Sequence, residues 1–169
     1  MGNGTIWLSQ NFKRAVGSAE YYNNNELDNK VFGRYYDKDN IDQIGDVVLT
    51  GSNGVEHIFR VATSDDWESL ANHYGGGGIA GGTLKYKEFS NGENVGATNE
   101  SGFSLMLGGG HNPSVGYVGI EDTGTYITST DNGLGSKKAY KINKDNENIQ
   151  LIGGFPSTSS GNVRLIKVN

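Results

Sequence analysis

Cysteine is absent from all 169 residues, which removes disulfides, thiolate metal sites and cysteine nucleophiles together. Positive charge is scarce: the net charge is −5 and the pI about 5.1. No basic cluster exceeds Lys137-Lys138, so the surface repels phosphate backbones and argues against nucleic-acid binding. No apolar run approaches the length of a membrane span, which argues against membrane insertion. The opening MGNGTIWLSQNFKRA has no apolar leader core, and Ile6 breaks the myristoylation pattern. Hydrophobic content is also low, at 34%.

Glycine, at 27 residues, accounts for part of that deficit, since it adds backbone without core side chains. Nine Tyr, six Phe and two Trp are dispersed along the chain, so aromatics are expected to carry much of the burial. The length suits one domain over 1–169, with no internal repeat and no linker. A cysteine-free chain without a leader is expected to fold in a cytoplasm.

Local patterns set the elements. Residues 5–8 (TIWL) resemble a short strand, and Asn23-Asn24-Asn25 a turn. Residues 33–44 allow a short helix, with Asp37 or Asp39 as cap and Ile41 and Ile44 inward. The clearest helix is 63–74. Thr63 or Ser64 offers a capping oxygen, Asp65, Asp66 and Glu68 favour the positive dipole end, and Trp67, Leu70, Ala71 and Tyr74 form one stripe. Gly75 is expected to stop it. From Gly102 onward, FSLML, GYVGI, TYITST, AYKI, IQLI and VRLIKV read as strands of an antiparallel sheet. Helices early and strands late, without βαβ alternation, give an α+β fold with long Gly/Asn-rich loops.

Gly76, Gly78 and Gly81 formally satisfy the dinucleotide pattern G-x-G-x-x-G. A phosphate cradle needs a strand before the glycines and a helix after them. Here a helix precedes them and the strand-like TLKYK follows, so a helix cap and packed turn is the better reading. Asp37, Asp39 and Asp42 invite a calcium reading, but Asp42 and Val48 stand where an EF-hand needs Gly and Glu. An irregular calcium site stays open beside the more usual capping role, and no cofactor is expected. His57, His73 and His111 share no metal-ligand spacing, and no nucleophile elbow or acid/base pair stands out. The sequons at Asn3 and Asn99 read as accidental.

Several ordered blocks together carry a family pattern. They are Asn3-Gly4-Thr5-Ile6-Trp7 with Asn11; Tyr22-Asn23-Asn24 and Phe32-Gly33-Arg34-Tyr35-Tyr36; Phe59 to Thr63 with Asp66-Trp67 and Leu70; Gly102-Phe103-Ser104 to Gly109; Gly124-Thr125-Tyr126 to Thr130; and Asn162-Val163-Arg164. On these the chain resembles the Fibrobacter succinogenes major paralogous domain, a branch of the C-type-lectin-like fold related to the formylglycine-generating domain. The resemblance implies two short helices with an antiparallel sheet. It also places Val55 and Leu165 where relatives commonly carry cysteines, so the two are expected to be buried neighbours. The cysteines of the enzyme branch are missing, which argues against formylglycine-generating activity.

The resemblance and the composition together imply a non-enzymatic phage virion surface protein. Capsid decoration and a head or tail fibre adhesin both fit, with the alternative of a bacterial cell-surface or envelope carbohydrate- or protein-binding module. Expected partners are other virion proteins or further copies in a homo-oligomer, packed near residues 6–12, and a cell-surface glycan or protein receptor. Tyr117, Tyr126 and Tyr140, with Glu121, Asp122, Asp131 and Asn132, have the composition of a contact surface. The competing reading of those tyrosines is half-burial on a sheet.

Overall fold

The structure is a computed structural model and describes residues 4–22, 30–88 and 93–168. The expected turn at Asn23–Asn25 lies outside them. Elements follow the order α1 (Lys38–Gln43), β1 (Val47–Thr50), β2 (Glu56–Val61), α2 (Ser64–His73), α3 (Ala80–Leu84), β3 (Gly108–Asn112), β4 (Gly116–Ile120), β5 (Thr123–Asp131), β6 (Lys137–Asn143), β7 (Ile149–Phe155) and β8 (Leu165–Lys167). The α+β class holds.

Both expected helices form, for the expected reasons. Asp37 caps α1 by accepting from the Asn40 amide while Asn40 returns the bond, and Ile41 and Ile44 are buried. Thr63 and Asp66 make the same reciprocal box on α2, and Arg60 grips the Asp66 carboxylate at 2.6 Å. Trp67, Leu70 and Ala71 turn inward, Tyr74 packs partly buried beside them, and Gly75 takes the left-handed φ of +92°.

Two sheets result. A three-stranded antiparallel sheet has the order β1-β2-β8, and a five-stranded sheet the order β4-β3-β5-β6-β7. The larger sheet is mixed, because β3 pairs with β5 in parallel through Gly109 and Gly124. That corrects the expectation of a purely antiparallel sheet. β1 and β2 correct a second one, since two strands precede α2. They form a hairpin closed by Gly51-Ser52-Asn53-Gly54, with the Gly51 amide donating to Val55 O at 2.8 Å. Residues 5–8 do pair, through a Trp7–Ile166 bridge that extends the smaller sheet. Residues 103–107 are not a strand. Phe103, Leu105 and Leu107 are buried, but the segment makes one ladder rung, between Leu105 and Lys85.

Adjacent residues on β5 and β8 point into different cores. Tyr126 and Ile166 enter a cluster with Trp7, Trp67, Leu70, Phe103 and Tyr140, while Ile127 and Leu165 enter one with Tyr36, Ile41, Val47, Phe59 and Val163. This is the period-two alternation of a strand covered on both faces. Trp67 sits at the centre of the first cluster, stacked on Tyr140 at 5.5 Å and edge-on to Trp7 at 5.3 Å.

Val55 and Leu165 are not neighbours. Leu165 is fully buried against its partner Val61, whereas Val55 is 49% exposed at the hairpin turn, six residues back along the chain from Val61. The alternation of β2 leaves that end of the hairpin beyond the core.

The glycine loop also departs in detail. A short helix, α3, follows the glycines where a strand was expected. Gly81 and Gly82 lie within it, and a methyl group on Gly81 would overlap the carbonyls of Glu147 and Asn148. These glycines permit backbone to pack on backbone. Beside them the buried Lys85 ammonium donates to the carbonyls of Val95, Asn143 and Asn146 at 2.6, 3.1 and 2.8 Å. That ammonium ties the loop at Val95 to the end of β6 and the turn after it, although burial holds its pKa below the ordinary lysine value.

Candidate functional site

The face of the larger sheet opposite α2 is only partly covered. At one end Ile127 and Ala139 meet the second core, and at the other the strands lie open. Thr125 and Lys141 are direct partners across β5 and β6, and β7 contributes Ile152 and Phe155. β3 and the chain after β7 close the sides with His111, Asn112, Pro156 and Ser159. The groove holds about 450 Å³. Gly110 keeps its floor low, since a methyl group there would come within 3.3 Å of Ser160 O and 3.5 Å of Thr125 Oγ1.

The lining divides into apolar walls, formed by Val118, Ile152, Phe155 and Pro156, and polar points at Thr123, Thr125, Asn112 and Ser159. Lys141 is the one group in it with a fixed charge, and it has no ionic partner among the described residues. Apolar walls with a few convergent polar groups are the ordinary make-up of a small-ligand site. Hydroxyls, one amide and a free ammonium suit a hydroxylated ligand. The His111, His57 and His73 side chains donate to and accept from no hydroxyl or carboxylate among the described residues.

His111 separates this groove from a smaller pocket of about 170 Å³, where Glu20, Asp37, Asn40 and Tyr117 converge. The Tyr117 ring lies 4.7 Å from His111 and 5.3 Å from Tyr35, and its hydroxyl donates to Tyr21 O at 3.0 Å. Burial, then the nearby Glu20 carboxylate, raises the Tyr117 pKa, so the hydroxyl remains a donor.

Of the seven residues read as a contact surface, Tyr117 alone reaches this region. Tyr126 and Tyr140 are core residues, a correction to the contact-surface reading. Tyr126 is fully buried and donates to Met106 O at 2.7 Å; Tyr140 is 5% exposed and donates to Ser64 O at 3.1 Å. Burial, then Glu68 and Asp65, pushes the Tyr140 hydroxyl up to about 12. Glu121 and Asp122 occupy the β4–β5 turn, with Asp122 paired to Lys144 at 2.5 Å. Asp131 ends β5 and Asn132 follows it, roughly 30 Å from that turn at about 3.3 Å per residue. There Asp131 pairs with Lys137, and Asn132 caps the turn by accepting from the amides of Leu134 and Ser136. Asp131 and Asn132 therefore form no common surface with Glu121 and Asp122, and none of the four lines the groove or the smaller pocket.

The calcium candidates have other roles. Asp37 caps α1, and Asp42 is paired at 2.6 Å with both Lys38 and Lys137. Among the described residues no three His, Asp or Glu gather in a way that could hold a metal ion.

The motif residues follow a different logic from the groove. Trp7, Tyr35, Tyr36, Trp67, Phe103, Tyr126 and Arg164 are all buried, and none lines the groove. The fold thus defines an α+β domain whose motif aromatics build the core, while the open sheet face takes Thr125 alone from the motif blocks. The chain belongs to the Fibrobacter succinogenes major domain family, whose pattern it matches over residues 3–167. No curated protein and no solved structure matches it.

Proposed function

We propose that this chain is a non-enzymatic binding module displayed on the surface of a phage particle, as a capsid decoration or a head or tail fibre adhesin. In this reading the domain is C-type-lectin-like, and the sheet groove takes a cell-surface glycan. The groove carries the proposal: it is open, ligand-sized, and mixes apolar walls with hydroxyl and amide groups. No histidine there is poised against a nucleophile, which supports binding without turnover. The pairing of residues 6–8 with β8, which brings distant ends of the described chain into one sheet, supports the C-type-lectin-like assignment. The lack of cysteine supports assembly where thiols stay reduced.

A second surface supports self-association. Val48 and Ile58 are direct partners across β1 and β2, and Val168 bonds to Ile58 O, giving an apolar row 38–47% exposed across three strands. Ile6, 53% exposed, adds apolar surface on the neighbouring segment. A cyclic homo-oligomer covers such a row most simply. The test is a glycan array probed with wild type and a Phe155→Ala variant, together with mass spectrometry of purified particles. Binding that disappears with Phe155 while the melting temperature holds supports the groove; binding unchanged by the substitution overturns it. Absence from every particle favours the cell-envelope module instead.

A further inference from the structure

A second cleft, remote from the sheet groove, has an unusual electrostatic construction. It lies between residues 9–13, residues 30–31, Ser104 to Met106 and the start of β8, and holds about 410 Å³. Arg164 closes its inner end and is fully buried. Its guanidinium donates from Nη1 to Leu8 O at 3.0 Å and from Nη2 to Ser104 O at 2.6 Å, and lies 4.8 Å over the Phe103 ring. Nε has no acceptor. No carboxylate comes within ion-pair distance of Arg164 among the described residues.

A buried charge is normally paired, because carbonyl dipoles and one ring face replace only part of its hydration. Two further cationic side chains line the cleft. Lys13 lines the cleft, its ammonium donating to Gln10 Oε1 at 3.1 Å and to Lys30 O at 2.7 Å, which leaves one proton undirected. Lys30 lines the outer side. Burial, then repulsion from Arg164, holds the Lys13 pKa below its ordinary value, as expected where positive charge goes unneutralised. Glu88 is the nearby carboxylate, and it is engaged by the Tyr86 hydroxyl at 3.1 Å. Three cations thus line one cleft, none of them in an ion pair among the described residues, in a protein whose net charge is −5.

We infer that this cleft binds an oxyanion group, a sulfate, phosphate or carboxylate, held by Lys13 and Lys30 and stabilised by the Arg164 charge behind them. Lysine ammonium and Ser9 supply the donors at the surface; Arg164 acts through its field, since Nη1 and Nη2 are bonded to protein carbonyls.

Thermal unfolding in sulfate, phosphate or acetate, against chloride at matched ionic strength, tests this. At a tenfold excess over the dissociation constant, binding raises the melting temperature by about 3–6 °C, and the rise then continues with the logarithm of anion concentration. The Lys13→Ala/Lys30→Ala double variant loses the logarithmic component, while Lys141→Ala, in the other groove, keeps it. Both lysines sit at the surface, and unchanged far-UV circular dichroism verifies folding. A polyuronate or sulfated polysaccharide displaced by inorganic sulfate from the same lysines identifies a polymer source; sulfate binding without polymer binding identifies the free ion. A rise proportional to anion concentration, or one that survives the double variant, is general salt exclusion and overturns the inference.

Discussion

Replacing Trp67 by alanine tests the core most directly. The indole is fully buried and meets four aromatic rings: Trp7 at 5.3 Å, Tyr126 at 5.4 Å, Tyr140 at 5.5 Å and Phe103 at 5.8 Å. Large-to-small aromatic changes cost about 3–5 kcal/mol, depending on how far the site can collapse. This site collapses poorly, because Tyr126 and Tyr140 are pinned by their hydroxyl bonds to Met106 and Ser64. Aromatic pairs add about 0.5–1.5 kcal/mol each, although four pairs sharing one ring are not additive. The expected loss is therefore at the upper end, about 5 kcal/mol, a fall in melting temperature of roughly 10–20 °C for a chain of this size. Trp67→Phe should behave differently. It keeps one ring in the stack and removes an indole N–H that has no acceptor, so it should cost only about 1–2 kcal/mol. Urea denaturation followed by far-UV circular dichroism measures both, with the slope checked for constancy. A loss below about 1 kcal/mol for alanine, or equal losses for the two variants, would refute the reasoning.

Acid should loosen α1 and the β5–β6 hairpin. Hydrogen bonds from Lys137 and Lys38 hold the Asp42 pKa below its ordinary value; for Asp66 burial pushes upward, but bonds from Arg60 and Thr63 outweigh it. Both lowered pKa values contribute stability that is present above the unfolded value of about 3.8 and lost as pH falls through the folded ones. Urea midpoints from pH 5 down to pH 2.5 should show the decline, with a shallower slope in Asp42→Asn; an unchanged slope counts against the pairing. In the glycine loop, Gly81→Ala should cost about 1–3 kcal/mol through overlap with Glu147 and Asn148. Gly78→Ala, with open space and no positive φ, should stay within about 0.5 kcal/mol, and no nucleotide should shift either melting curve.

What could be read in the sequence was what is written locally. The α2 cap and stripe, the α1 cap at Asp37 and strands β4 to β7 all rest on signals within a few residues. The β1–β2 hairpin was missed because Val48 and Ile58 are apolar on an exposed face, which obscures the alternation despite the Ser52-Asn53-Gly54 turn. Residues 103–107 alternate like a strand, yet tertiary packing beside α3 leaves them a single rung. The parallel β3–β5 contact is one glycine pair, invisible to any periodicity. The groove was legible only in part. Thr123, Thr125 and Lys141 lie at strand positions whose facing follows from period two, but Phe155, Pro156 and Ser159 join them by a fold-back that no local pattern encodes. Tyr126 and Tyr140 misled for the converse reason: a tyrosine can bury its ring wherever a carbonyl accepts its hydroxyl.

The segment 159–168 has a consequence for the order in which the protein can form. Ser160 pairs with His111, Gly161 with Tyr36, Asn162 with Tyr126, Leu165 with Val61, and Ile166 with both Arg60 and Trp7. These ten residues stitch nearly every other part of the domain, and they leave the ribosome after all of it. At about 5–20 residues per second, the interval between Trp7 and Ile166 is on the order of 10–30 s. Throughout it, the partners of this segment can pair only with one another or with neighbouring chains. Folding is therefore dominated by sequence-distant closure, which is slow. A nascent chain can pair the strands of the larger sheet early, but the smaller sheet stays incomplete, and the two buried clusters unsealed, until the closing segment arrives.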